Sequence, residues 1–432
     1  MTSPRTTTVP LPPWRLVIGL GLVSLLVDTV SDGAISVGGA LLGQLGASAV
    51  LVGLVTGGAD ALALALRLVT GPWADRRRAY WSFTIGGYLM SAVSVPLLAT
   101  FPLLGGAALG VASVLLLAER TGKAVRAPSK TVLLAEPAAA VGSGKGFGVH
   151  KLLDQIGAFA GPLVVAGITA ATGHLWAAFL ALAVPGALAL VLLFWLRSRV
   201  PDPTVYRGSS RAGGDGDTPV DEGGAAPVDA GTPGAATSRE GGTEGRDFFL
   251  FAVFAALTTF GLLGFGVISF HLTDARLVPL ASAPLVYALA MAVAAVAAPL
   301  TGVLYDRVGP GVLLVVPVLT AFVVPLVLGG TLGAVLLGVV VWGAASGIQD
   351  STVKALVAEL VPAQRRGSAY GTFSVFQGGA AMAGSTVAGA MYAHVAALAL
   401  IVGVLQVVAL ALLVVVLHGR RVRRDRGAVR PG

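Results

Sequence analysis

The sequence predicts an all-α polytopic membrane protein built of two pseudo-symmetric six-helix bundles. Three observations carry that reading. The 432-residue chain is 55% apolar and only 12% charged, where soluble domains carry about 25% charged residues, and its mean hydropathy is +0.85. Twelve segments are each long and apolar enough to cross a bilayer, which takes about 20 residues: roughly 15–43, 48–70, 80–99, 102–122, 147–171, 174–196, 249–272, 281–304, 311–328, 331–349, 368–392 and 395–417. A stretch rich in Gly, Pro, Asp and Thr at 200–246 divides them six and six.

Taken in chain order, residues 1–14 form a polar, Pro-rich tail and 15–198 the first bundle. The linker, 199–247, has few bulky apolar residues and is expected to be disordered. The second bundle follows over 248–417, then a basic tail over 418–432. Helix is the expected structure of every span, because unpaired backbone groups cannot face lipid and the period-two alternation of a barrel is missing. The first apolar run is too long for a signal peptide, contains two Asp and lacks an A-x-A site, so it counts as a span. Nearly all Lys and Arg fall after even-numbered spans, in the linker or in the tails, which places both termini in the cytoplasm of a cell whose inner membrane holds the protein. High Ala, Gly and Val usage suggests a GC-rich bacterial source.

The net charge of +8 sits in loops and tails. The run Arg420 to Arg426 reads as an anchor on anionic lipid, and no nucleic-acid partner is expected. The chain has no Cys, which excludes disulfides and thiolate chemistry, and its five His show no metal-ligand spacing. With no paired-carboxylate metal motif and no nucleophile elbow, neither an enzyme, a metal site nor a cofactor is expected.

Between spans 2 and 3 the stretch "GPWADRRRAYW" interrupts two apolar runs. Gly71 and Pro72 are expected to end a helix, Arg76, Arg77 and Arg78 to set orientation, and Trp73 and Trp81 to lie at the membrane interface. Its pattern G-x-x-x-D-R (Gly71, Asp75, Arg76) recurs after span 8 as Gly302, Asp306 and Arg307, at an offset of 231. A second match, "LLAEPAAAVGSGKGFG" against "LVAELVPAQRRGSAYG", runs at an offset of 223 and pairs Gly161 with Gly384. A repeat of six-helix units is one of the known transporter plans.

On these residues the sequence resembles the major facilitator superfamily over its whole length. "GAFAGP" (Gly157, Gly161, Pro162) is similar to the G-x-x-x-G-P motif of the superfamily's proton-driven exporters, and "ERTGKAVR" is similar to its span 4 end. The resemblance implies alternating access and a cytoplasmic latch, with Asp75 near Gly367 and Asp306 near Phe147. Gly157 and Gly161 would admit close helix contact and Pro162 a bend, together a pivot.

Ionisable residues at membrane depth are costly unless they face a cavity or a partner. Asp28 and Asp32 share one face of span 1, with Asp28 roughly 20 Å from the cytoplasmic start. Two carboxylates that close resist joint ionisation, which suits proton coupling; alternatively, Asp32 caps an irregular stretch. Asp60 lies at similar depth in span 2, with Arg67 two turns on. Arg67 reads either as a buried cation near three carboxylates or as a residue snorkelling towards Asp75. Lys151 and Asp154 read as an i,i+3 pair, or Asp154 pairs with Lys123 or Arg126. Of Glu119, Arg120, Lys123 and Arg126, Arg120 and Arg126 are expected to reach inward. Gln349 and Gln377 would offer uncharged hydrogen bonds in the second half.

The function expected is secondary active transport of a small solute, through proton-coupled export by a monomer, with protons, solute and the lipid bilayer as partners. A hydrophobic or amphipathic solute leads, ahead of an organic anion held by Arg67 or Arg120. A passive facilitator or importer, or a non-transporting receptor or scaffold, are the alternatives.

Overall fold

In a bilayer the backbone must satisfy its own hydrogen bonds, and every long apolar stretch of this chain is helical. The structure, a computed structural model, describes residues 11–206, 241–350, 356, 361 and 366–428. The expectations for 1–10, for the linker over 207–240 and for 429–432 lie outside the described residues.

The helices of the first half are α1 (Pro13–Gln44), α2 (Ala49–Arg77), α3 (Tyr80–Leu97), α4 (Ala108–Val141), α5 (Ser143–Thr172), α6 (Leu175–Ala181) and α7 (Ala183–Arg199). Those of the second half are α8 (Gly241–Gly261), α9 (Phe265–Asp274), α10 (Ala283–Val308), α11 (Val315–Val327), α12 (Leu332–Ile348), α13 (Arg366–Ala390) and α14 (Val395–Ala428). Each expected span falls on one helix or on a consecutive pair. Among the described residues, eight stretches are long and apolar enough to cross a membrane. They hold nine of the expected spans, because α10 and α11 form one stretch, Leu280–Val327. The remaining three lie on α4, which is heavily charged, on α12, which has 17 residues, and on the Gly- and Ser-rich α13.

Four local expectations are corrected. Span 4 does not end near residue 122; α4 runs on to Val141 through Lys123, Arg126 and Lys130. Those cations read as interfacial in sequence, but carboxylates of neighbouring helices hold them inside the unit. Gly71 and Pro72 do not end α2, which continues to Arg77 and closes where Arg78 adopts φ 47°. A proline near a helix end forfeits only one bond, and Ala79 N–H closes the turn on the Ala74 carbonyl at 3.2 Å. Trp81 is buried against Leu133 and Leu134, whereas Trp73 is exposed and meets Phe83 edge to face. The expected span 7 is broken between Gly261 and Gly264, where Leu263 has φ 48°.

Packing divides the chain into two compact units. One spans Met1–Ala34 and Leu66–Glu222, the other Ile35–Ala65 and Gly223–Gly432. The expected bundles, 15–198 and 248–417, cut the chain at the linker instead, and assign residues 35–65 to the first half. Glycines explain that difference. Gly39 of α1 packs directly on the Gly266 carbonyl of α9, and Gly53 of α2 on the Ser385 carbonyl of α13. A side chain at either position would collide with backbone, so these helix ends are tied to α9 and α13. The first unit's core gathers Leu16, Leu20 and Val27 of α1 with Tyr88, Leu134 and Leu193. The second unit has two, around Val323, Val335 and Val339 and around Phe251, Phe254 and Leu413.

Candidate functional site

Four helices of the first unit converge on one buried set of charges. On α1, Ser24, Asp28, Ser31 and Asp32 follow the i, i+4, i+7 spacing of a single face. On α4, Lys123, Arg126 and Lys130 also share a face, at i, i+3, i+7. Tyr88 and Ser91 come from α3, and His150, Lys151 and Asp154 from α5. Small residues make the convergence possible. Gly157 and Gly161 of α5 sit against the Leu25 and Thr29 carbonyls of α1, bringing Asp154 into the group that contains Asp28. Gly122 of α4 faces Gly87 of α3, where a Cβ would stand 2.7 Å from the Gly87 carbonyl oxygen. That contact carries Arg126 onto the face of Tyr88.

Arg126 is the centre of the cluster and only 3% exposed. Its Nη1 donates to Ser91 Oγ at 2.7 Å and its Nη2 to Asp28 Oδ1 and Ser31 Oγ, both at 3.5 Å. The guanidinium lies 4.9 Å from the Tyr88 ring centroid, a cation–π position. Lys123 Nζ stands 3.9 Å from Asp28 Oδ1 and 3.8 Å from Asp32 Oδ2, bridging the two carboxylates. Lys130 Nζ donates to Asp154 Oδ1 at 3.2 Å and to Ser24 Oγ at 3.1 Å. Ser24 Oγ is also 3.0 Å from the Tyr88 hydroxyl and 3.5 Å from His150 Nε2. Lys123, Arg126 and Lys130 thus face Asp28, Asp32 and Asp154, joined by hydroxyl groups, and the exposed Lys151 adds a fourth cation at Asp154. Lys123 keeps a counter-charge when either Asp28 or Asp32 is neutral, since it lies within reach of both.

The sequence expectations are met unevenly. Asp28, Asp32, Arg126 and Asp154 come together. Asp154 pairs with Lys130, a residue not singled out from sequence, and with Lys151 at 3.4 Å, rather than with Lys123 or Arg126. Arg120 turns to its neighbour Glu119 at 3.8 Å. Arg67 is exposed rather than buried, and Asp60 is half-buried. Asp75, Arg76, Asp306 and Arg307 are exposed, with Gly71 and Gly302 inside α2 and α10. Pro162 is buried within a continuous α5. Tyr88, Ser91, His150 and Lys130 were missed. Lys130 extends an i, i+3, i+7 run of cations on α4 in a stretch that reads as a loop, and Tyr88, Ser91 and His150 carry no such pattern.

In the second unit, the buried polar side chains among the described residues are Ser, Thr, His and Gln. Gln349 donates to Thr258 Oγ1 at 3.0 Å and Thr259 Oγ1 at 2.9 Å on α8. Gln377 is half-buried. At the α8–α9 break the indole N–H of Trp342 donates to the freed carbonyls of Leu262 and Leu263, and the Gly264 N–H donates to Ser385 Oγ at 2.8 Å.

Membrane-length helices that hold ion pairs between them define an integral membrane protein with a polar interior, where ionisable residues mark a functional site. The Major Facilitator Superfamily profile matches residues 20–333 and 249–431, and the chain belongs to that family. It is 42% identical to an uncharacterized protein of Mycobacterium tuberculosis and to one of Mycobacterium bovis, over 402 residues that cover 93% of this chain and 92% of each relative. The fold is shared with a mutant of the nucleoside transporter NupG (TM-score 0.69, 13% identity, 93% and 99% of the two chains). It is also shared with a D-xylose-proton symporter (0.64, 16%, 93% and 96%) and a mutant of the peptide transporter POT (0.67, 16%, 94% and 95%). Family and fold are those of membrane transporters, and point to a secondary transporter rather than an enzyme.

Proposed function

We propose that this protein is a proton-coupled exporter of a small solute, working as a monomer by alternating access in the cytoplasmic membrane, with both termini inside the cell. The observation that carries this reading is the set of ion pairs Asp28–Arg126, Asp28–Lys123 and Asp154–Lys130 across α1, α4 and α5, with Asp28 and Arg126 buried and Lys123, Lys130 and Asp154 half-buried. A proton taken up by Asp28 breaks its ion pairs with Arg126 and Lys123, leaving Lys123 on Asp32 and Arg126 on Ser91 and Tyr88, and so favours a rearrangement of α1 against α4. The similarity of Gly157, Gly161 and Pro162 to the exporter motif supports the outward direction, and their contact with α1 supports a pivot at that place. The two G-x-x-x-D-R stretches at Gly71–Arg76 and Gly302–Arg307 are the proposed cytoplasmic latch. Asp60, Arg67, Gln349 and Gln377 are assigned to the solute path, and the solute class proposed is hydrophobic or amphipathic.

A thermal-shift screen of purified protein against metabolites and antibiotics at two pH values tests the reading. A ligand that stabilises the wild type differently at the two values, and equally at both in Asp28→Asn, is the expected result. A ligand whose effect is the same at both pH values in the wild type contradicts proton coupling.

A further inference from the structure

Outside that cluster, a buried imidazole in the second unit belongs to a chain of three hydrogen-bond contacts that is one hydrogen short when the ring is neutral and the carboxylate ionised. His271 is the last-turn histidine of α9 and is only 6% exposed. Its Nδ1 lies 2.8 Å from the Tyr392 hydroxyl and its Nε2 3.1 Å from the Gly329 carbonyl oxygen. The Tyr392 hydroxyl lies 3.0 Å from Asp274 Oδ2.

The hydrogens can be counted. A carbonyl oxygen only accepts, so Nε2 donates to Gly329. The links His271–Tyr392 and Tyr392–Asp274 each need one hydrogen. The tyrosine hydroxyl supplies one. A neutral imidazole has spent its single hydrogen at Nε2, and an ionised carboxylate has none. The three contacts coexist only when the group holds one proton more than neutral histidine plus carboxylate. Of the two groups able to take it, the buried imidazole has an acceptor within reach of each ring nitrogen, whereas the Asp274 carboxylate is exposed and open to water.

We infer that His271, Tyr392 and Asp274 form a proton-binding site, in which His271 is an imidazolium donating to Gly329 and Tyr392 while Tyr392 donates to the Asp274 carboxylate. The proton comes from solvent: Asp274 lines a cavity of about 630 Å³ together with Gln44, Phe270 and Arg276. The other titratable and charged groups near it are few. Arg276 follows α9 and His394 follows α13, both exposed, and α10 brings Tyr287 against Phe265 at the opposite end of α9. Residues 35–44 of α1 and 315–348 of α11 and α12 hold no ionisable side chain.

The site ties two chain segments to the end of α9: the turn between α11 and α12 through Gly329, and the segment after α13 through Tyr392, which meets both His271 and Asp274. The same helix receives α1, since the Ala40 N–H donates to Ser269 Oγ at 3.0 Å and Gly39 packs on Gly266. Loss of the proton breaks one of the three links and loosens the segment on which α1 rests. The inference concerns a different unit from the Asp28 cluster and does not depend on the proposed transport function.

Nitrogen-15 NMR of the full chain, labelled at histidine and held in detergent, tests it without any solute. The His271 signal is identified by its loss in His271→Gln or, should that variant not fold, by elimination using His150→Gln, His174→Gln, His394→Gln and His418→Gln. At pH 6 both ring nitrogens are expected to be protonated. As pH rises and the ring becomes neutral, amide exchange over 269–274, corrected for intrinsic rates, is expected to quicken about tenfold, as for loss of one hydrogen bond. Tyr392→Phe is expected to keep the ring signal but to uncouple it from that change in exchange. A neutral ring at pH 6, or amide exchange unaltered across the ring's titration, overturns the inference.

Discussion

Arg126 shows how one side chain organises the charged cluster. Its guanidinium reaches Ser91, Asp28 and Ser31 through three hydrogen-bond contacts and gives its face to Tyr88. Removing it leaves the Asp28 carboxylate, 8% exposed, with Lys123 as its remaining ion-pair partner. Arg126→Gln is expected to lower stability by about 1–3 kcal/mol. Asp28→Asn in the same chain is expected to restore part of that loss, with a coupling of roughly 0.5–3 kcal/mol in a double-mutant cycle read by denaturation; strict additivity would show that the two residues do not act as a pair. Asp28 was legible in the sequence because an Asp deep in an apolar run needs a reason. Its partners were less so. Lys130 and Tyr88 acquire meaning only when α3, α4 and α5 are packed, and nothing in their local sequence distinguishes a cation facing a carboxylate from one facing lipid phosphate.

Helix positions depend on where glycine permits contact. On α5, Gly157 sits against the Leu25 carbonyl, whereas Gly167 faces open space. Gly157→Ala is therefore expected to push α5 off α1 and cost roughly 1–3 kcal/mol, as overpacking does. Gly167→Ala on the same helix is expected to be neutral or to add up to about 1 kcal/mol through helix propensity. Melting temperatures of the two variants check this, and equal values would deny the close α1–α5 contact. The helices themselves were legible from hydropathy, because lipid leaves a spanning backbone no alternative. Their ends were harder. α4 outran its expected limit because cations usually mark a membrane surface, and here Asp28, Asp32 and Asp154 keep them inside. α2 passed through Pro72 because a proline near a helix end forfeits little.

For the molecule as a whole, the two-half organisation was readable from the repeated Gly71–Arg76 and Gly302–Arg307 stretches and from the family signature, which covers most of the chain. The assignment of residues 35–65 to the unit that contains α9 and α13 was not readable. It arises from backbone contacts of Gly39 and Gly53 with residues more than two hundred positions away, and no local pattern announces them. The charged cluster lies wholly in one unit and the His271 site wholly in the other, so variants can separate them.

The central claim is that solute movement is tied to proton movement through Asp28. The most direct measurement uses proteoliposomes loaded with a pH-sensitive dye, with no pH gradient at the start and a ligand from the screen supplied on one side. The wild type is expected to move protons against the solute as it is translocated, and Asp28→Asn to bind the solute without moving protons. Solute translocation by the wild type with no change in internal pH would contradict the account.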